Sequence, residues 1–295
     1  MTNPKTVAII QARMSSSRLP GKVLLDIAGE AMLGWVVERA RRAGRLDEVV
    51  VATTTDPADQ AVTDFCARHD YSCYRGSLHD VLDRFMQAAR LHSAGVIVRI
   101  TADCPMIDPG LIDAAVQAFL SPAPPALEEK LPRGVEPRPG GWDFVANRLP
   151  PPFKRTYPIG LDLEVTSMAA LEHAWRAADQ AYQREHVMPY LYEDSPVVDS
   201  LTGALSPAAA VSGREPHPFR VLLLNHAPDY GALRWTVDTP TDLELVRRIF
   251  ARFGGRADFS WEEVLDLVNR EPELSRLNAG VHHKTYKDAD ERANA

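Results

Sequence analysis

Residues Thr6–Leu24 read TVAIIQARMSSSRLPGKVL: a short apolar run, then Arg13, Arg18 and Lys22 set among three serines and a Pro20-Gly21 pair. The opening TVAII has the composition of a buried strand. Directly after it, the small residues Ser15, Ser16, Ser17 and Gly21 let backbone N–H groups approach an anion, while the three cations neutralise its charge. Ligands of α/β proteins gather at the carboxyl ends of parallel strands, so this loop reads as an anion site. The competing reading is a solvated basic loop paired with surface carboxylates. The loop is neither a Walker loop nor a GxGxxG fingerprint, which argues against a P-loop NTPase or a dinucleotide dehydrogenase.

Outward from this stretch, β-branched runs alternate with amphipathic ones, the pattern of βαβ units and a largely parallel sheet. MLGWVVERARRAG (32–44) places Leu33, Val36, Val37 and Ala40 on one helical face, and EVVVAT (48–53) is the next strand. PADQAVTDFCARH is a helix and SCYRG a short strand or turn. LHDVLDRFMQAARLH is a helix with Val81, Leu82, Phe85, Ala88 and Ala89 facing inward. GVIVRITADCP is a strand running into a loop, and PGLIDAAVQAFL a helix opened by Pro109 and capped by Asp108. Residues 121–141 are rich in Pro and Gly and read as a loop or insertion. Beyond them, WDFVAN, LDLEVTS, FRVLLLN and RWTV read as strands, and MAALEHAWRAADQAY and REHVMPYLYE as helices. Residues 196–218 read as irregular. TPTDLELVRRIFARFG and SWEEVLDLVNREP are helices, the second with a capping box, and 276–295 form a polar tail.

The chain has 295 residues, 45% hydrophobic and 25% charged, with a net charge of −7, proportions of a soluble globular protein that can bury a substantial core. Net acidity argues against a protein that coats nucleic acid, and makes the local basic cluster informative. No apolar run is long enough to span a bilayer, and the N-terminal one is too short for a signal peptide, so a cytoplasmic protein with no membrane partner is expected. Cys66, Cys73 and Cys104 lack metal or redox spacing and are given no catalytic role.

Two carboxylates fall at strand ends. Asp103, in ITADCP, can reach a metal, although turn statistics alone make it a turn-former before Cys104-Pro105. Asp238, in WTVDTP, alone is a helix cap; together with Asp103 and opposite a cationic loop it describes a metal–nucleotide site. Asp242 reads as a surface charge favoured by the helix dipole. In GLDLEV, Asp162 and Glu164 alternate with Leu161, Leu163 and Val165, as on an exposed edge or a substrate-facing strand. Arg184, Glu185 and His186 stand side by side at what reads as a helix start, equally an ordinary exposed helix end. No GxSxG elbow supports a serine nucleophile.

Taken together, IIQARMSSSRLPGKVL, YRGSLHDVLDRF with VRITADCPMIDPGLID, and GLDLEV with REHVMPYLY and WTVDTPTDL resemble the sugar cytidylyltransferases, most closely the SpsF-like branch of spore-coat polysaccharide biosynthesis. The KDO, acylneuraminate and pseudaminic acid cytidylyltransferases are its relatives. The resemblance implies a GT-A-like nucleotidyltransferase fold, a Rossmann-like three-layer α/β/α sandwich with a mixed, mostly parallel sheet. It implies one domain over 1–275, with 142–220 serving the acceptor and homodimer contact. By matching positions, Arg13 and Lys22 would contact the phosphates of CTP, with Ser15, Arg18, Gly21 and Arg75 also at the nucleotide. Asp103 and Asp238 would hold Mg²⁺, and Asp162, Glu164, Arg184, Glu185 and His186 would face a small acidic acceptor.

The implied reaction is attack of an acceptor oxygen on the α-phosphorus of CTP with loss of pyrophosphate. Catalysis would be mainly positioning and charge neutralisation, with Lys22 and Arg13 as the catalytic cations. Losing Lys22 should then cost far more in turnover than in folding. Two alternatives stand beside it: a GT-A glycosyltransferase using a nucleotide-sugar, ranked lower because TADCP lacks the usual D-x-D strand end, and a non-catalytic nucleotide-binding protein of the same fold.

Overall fold

The computed structural model describes residues 4–123, 141–206 and 219–282. Most of the Pro-rich 121–141 stretch, part of the 196–218 stretch and most of the 276–295 tail therefore lie outside the described residues. Among the described residues the centre is a nine-stranded mixed sheet in the order β10-β9-β11-β7-β8-β6-β1-β4-β5. Its first four long strands are β1 (Thr6–Gln11), β4 (Glu48–Thr54), β5 (Ser72–Gly76) and β6 (Val96–Thr101). These pair in parallel, with Ile9 opposite Val50 on one side and Arg99 on the other. The strand β8 (Glu164–Ser167) runs antiparallel to β6 and to β7 (Phe144–Ala146). Beyond β7 lie β11 (Val221–Leu223), β9 (Val197–Asp199) and β10 (Leu205–Ser206); β2 (Asp26–Ile27) and β3 (Glu30–Ala31) form a separate ribbon.

Side-chain alternation along the strands sorts the interior into two cores. Ala8, Ile10, Val98 and Ile100 point into the first, with α1 (Met32–Arg41), α2 (Gln60–Arg68) and α4 (Pro109–Leu120). Val7, Ile9 and Ile97 point into the second, under α3 (Val81–Leu91), α5 (Met168–Ala177), α6 (Ala181–His186) and α7 (Pro189–Tyr192). The C-terminal helices α8 (Pro240–Arg252), α9 (Trp261–Arg270) and α10 (Pro272–Arg276) complete the first layer. The result is the expected three-layer sandwich. No helix among the described residues is long and apolar enough to cross a membrane.

Helix starts follow the caps written in the sequence. Asp80, Asp108, Thr239 and Ser260 each accept a backbone N–H from the first turn of their helices, worth about 1 kcal/mol apiece. Asp108 also accepts the Trp261 N–H at 2.9 Å, tying α9 to α4.

Several expected boundaries change. REHVMPYLYE does not form one helix beginning at Arg184: α6 ends at His186, and Val187 takes φ 71° before α7 begins at Pro189. Arg184, Glu185 and His186 therefore sit at a helix end, where the carbonyls of the last turn favour cations. Only Glu164–Ser167 of LDLEVTS is strand, because the Asn147 side chain takes the Leu161 carbonyl and the Leu163 N–H. Within the stretch read as irregular, β9 and β10 are short strands.

RWTV does not join the sheet. Arg234 makes a single bridge with Ile159, and the Trp235 and Thr236 N–H groups both donate to the Ile159 carbonyl. Gly160 permits this crossing: at φ 107°, a Cβ there would stand 2.4 Å from the Thr236 nitrogen. Both the left-handed backbone and the contact exclude a side chain. Gly160→Ala is expected to lower stability by about 3 kcal/mol or more. Urea unfolding checks it; an unchanged midpoint would refute the packing argument.

Candidate active site

The loop after β1 is held from below. The Ala12 N–H donates to the Ala52 carbonyl, and the Met14 N–H to Asp59 Oδ1 at 2.6 Å. Gly21, at φ 70°, closes the loop by donating to the Met14 carbonyl at 2.9 Å and turns the chain into a short helical turn over 22–24. That turn aims Lys22, only 8% exposed, across the carboxyl ends of the strands.

Lys22 Nζ donates to Asp103 Oδ2 at 2.8 Å, Asp238 Oδ1 at 2.9 Å and the Val237 carbonyl at 2.7 Å. Both expected carboxylates thus converge on the expected lysine. Asp103 is steadied by Thr101 Oγ1 at 2.6 Å, and the Val237 N–H donates to the Asp103 carbonyl. The second oxygen of Asp238 meets Arg18 Nη2 at 2.8 Å and Arg234 Nη2 at 2.7 Å. Burial by itself would lower the Lys22 pKa, but Asp103 and Asp238 outweigh it and raise it. Burial likewise opposes the charge on Asp238, yet Lys22, Arg18 and Arg234 hold its carboxyl well below the usual range.

Asp242 differs from the exposed dipole charge expected of it. It is 0% exposed and accepts from Arg234 Nε, Asn278 Nδ2, Thr239 Oγ1 and the N–H groups of Asp238 and Thr239. It is the hub that fixes Asp238 and Arg234. Asn278, within the stretch read as a tail, is buried and also donates to the Arg234 carbonyl.

The remaining expected site residues are dispersed. Arg75 spends its donors on the Thr54 and Asp56 carbonyls and Gln60, bracing the turn between β4 and α2. Asp162 pairs with Arg155, and its charge together with that of Asp103 adds to burial in pushing up the Cys104 thiol. Glu164 pairs with Arg99 across the β6–β8 ladder. Arg184 binds Asp80, the cap of α3. Glu185 is half-buried at the end of α6. Burial, with the charges of Arg99, Arg148 and Arg13, lowers the His186 pKa to about 4. Arg13 thus stands with a second group of cations, which also includes Arg84.

Sequence reasoning passed over Arg84, Arg99 and Arg234. The signal was present for the first two: Arg84 shares a helical face with Val81, Phe85 and Ala88, and Arg99 shares a strand face with Ile97. A charge on an apolar face needs a reason. A cavity of about 550 Å³ elsewhere, lined by Asp108, Tyr157, His226 and Trp261, contains none of the expected site residues.

A family model described as cytidylyltransferase matches residues 7–203. The spore coat polysaccharide biosynthesis protein SpsF of Bacillus subtilis is 29% identical over 271 residues, 90% of this chain and 95% of that protein. A 3-deoxy-manno-octulosonate cytidylyltransferase of Solibacter usitatus is 31% identical over 265 residues, 83% of this chain and 94% of that protein. The solved structure of a cytidylyltransferase from Leptospira borgpetersenii matches with a TM-score of 0.74 at 27% identity, covering 95% of this chain and 100% of that one.

Proposed function

The chain belongs to the cytidylyltransferase family and is a nucleotidyltransferase, and from that premise we propose that it transfers CMP from CTP to an acidic sugar or related small acid, in polysaccharide or glycan assembly. The observation that carries this reading is the convergence of Asp103, Asp238 and Lys22 beside the Arg13–Lys22 loop. The similarity to SpsF and to a 3-deoxy-manno-octulosonate cytidylyltransferase supports the acceptor class.

Mg²⁺ is the metal this reading requires, and the residues fit it. Oxygens of Asp103 and Asp238 lie within 2.9 Å of one Lys22 nitrogen, so they already converge on a single positive centre. Two protein carboxylates, with phosphates and water completing the shell, suit Mg²⁺; among the described residues no cluster of three or more acidic, His or Cys side chains offers a fuller cage. Bound there, the ion supplies charge neutralisation at the phosphates and lowers the pKa of an attacking hydroxyl.

The protein's own groups then do the following. Asp103 and Asp238 surrender Lys22, whose ammonium turns to the triphosphate entering over the loop. Arg13, Arg18 and the N–H groups around Ser15 and Gly21 orient the phosphates. An acceptor oxygen bonds to the α-phosphorus as the bond to the β-phosphate bridging oxygen breaks, and pyrophosphate leaves; a hydroxyl acceptor loses its proton to water. Lys22 and Arg13 offset the negative charge that gathers on the leaving group.

Pyrophosphate release from CTP that requires both Mg²⁺ and an added sugar acid is the expected result in an enzyme-coupled assay. Release of a nucleoside diphosphate from a nucleotide-sugar, with none of pyrophosphate from CTP, would overturn the reading.

A further inference from the structure

Arg84 lies on α3 with 0% exposure, and among the described residues only one of its nitrogens is spent: Nη1 donates to the Ser77 carbonyl at 2.8 Å. Nε and Nη2 have no hydrogen-bond partner among the described residues, and neither does Nε of Arg99. Arg99 otherwise pairs with Glu164 and donates weakly to Gln11 Oε1 at 3.3 Å. A guanidinium carries five donors in a rigid fork, and burying it without acceptors is strongly unfavourable. Such a cost needs a purpose.

Arg84 also lies among other charged groups. Arg13 and Arg99 act on it in one sense and Asp59 in the other, and the carboxylate of Asp59 is itself engaged by the Met14 N–H and Thr54 Oγ1. The Arg99 contact with the ring of Phe85, the neighbour of Arg84 on α3, places the two guanidinium groups on the same face of the sheet. Gln11 and Arg99 sit near the carboxyl ends of β1 and β6, where strand order reverses, the position at which open α/β sheets take their ligands. The face is the opposite one from Lys22: Lys22 reaches Val237 of the first core, whereas Arg84 adjoins Leu82 and Phe85 of the second.

We propose that Arg84 and Arg99 form an oxyanion subsite that receives the acid group of the acceptor, a carboxylate or a phosphate, across the sheet's rim from Lys22. This rests on the transferase reading above. The acid group supplies the acceptors that the two guanidinium forks lack, and Arg13 joins this subsite to the triphosphate loop. The acceptor is thereby anchored by its charge on one side of the rim while its attacking oxygen is directed to the other.

The test uses the whole protein with CTP and Mg²⁺ at saturation, so that the triphosphate loop is filled, and titrates inorganic phosphate and pyruvate separately by calorimetry at constant ionic strength. One of the two is expected to bind, which names the acid group. Arg84→Met should weaken that binding at least tenfold while CTP affinity stays within threefold. The melting temperature without ligand should not fall, because an uncompensated buried charge has been removed. Should Arg84→Met fail to fold, Arg99→Gln gives the same reading. The proposal is overturned if neither anion binds, if binding survives the substitution, or if CTP affinity falls as far as anion affinity. A parent protein that does not bind CTP counts instead against the transferase reading, and anion binding that depends on Arg84 would still stand.

Discussion

Lys22→Ala is expected to lower CTP-dependent pyrophosphate release by two to three orders of magnitude, the usual effect of removing one group that meets developing charge. The structure adds a consequence for folding that the motif alone does not suggest. Lys22 separates Asp103 and Asp238, and its loss leaves two partly buried carboxylates converging with no ammonium between them. A destabilisation of about 3 kcal/mol is expected, so the turnover loss comes with a real stability loss. A divalent cation should restore part of it. In the variant, Mg²⁺ without nucleotide should raise the melting temperature, since a ligand that binds only the native state stabilises it by mass action. The parent, whose ammonium already occupies that place, should respond much less. Turnover within tenfold of the parent would remove Lys22 from its catalytic role; equal Mg²⁺ responses would remove it from the metal's place.

The largest loss of stability is expected at Asp242. Asp242→Ala strips six hydrogen bonds from one buried point and takes from the buried Arg234 guanidinium the carboxylate that meets two of its nitrogens. Breaking a buried pair costs about 3–5 kcal/mol, and the lost helix cap adds about 1 kcal/mol. Equilibrium urea unfolding should show the shift in midpoint with an unchanged slope. The same residue governs acid behaviour. Burial works to raise the Asp242 pKa, but Arg234, Asn278 and the N–H groups bonded to it bring it below its ordinary value, as happens at Asp238. A depressed folded pKa gives stability that is present above the unfolded value, about 3.9, and is lost as pH falls through the folded one. Stability of the parent should therefore decline below about pH 4, and Asp242→Asn should flatten that decline. A variant as acid-sensitive as the parent would place the titration elsewhere.

Those two residues also mark what could be read beforehand. Lys22, Asp103 and Asp238 were legible because each follows a strand or precedes a helix, and strand ends are where α/β sites form. Asp242 was misjudged because an acidic residue in the first turn is ordinarily exposed; its burial depends on Arg234 and on Asn278, 36 residues away. The end of α6 was read as a helix start because nothing in a β-branched valine announces the left-handed backbone that stops the helix at Val187. The single bridge at Arg234 was likewise hidden, since an extended apolar segment reads as strand whether or not a neighbour completes its ladder. Arg84 and Arg99 were visible as charges on apolar faces, but seeing what they lack required the atoms around them.

The grip on Asp238 draws on segments far apart in the chain: Arg18 and Lys22 near its beginning, Arg234 and Asp242 near its end, and Asn278 later still. On a ribosome, therefore, the long strands of the sheet can pair while this knot is incomplete, with basic and acidic ends waiting for one another. A chain cut short before Asn278 would keep its basic loop, yet lack the latch that helps hold the opposing carboxylate against it.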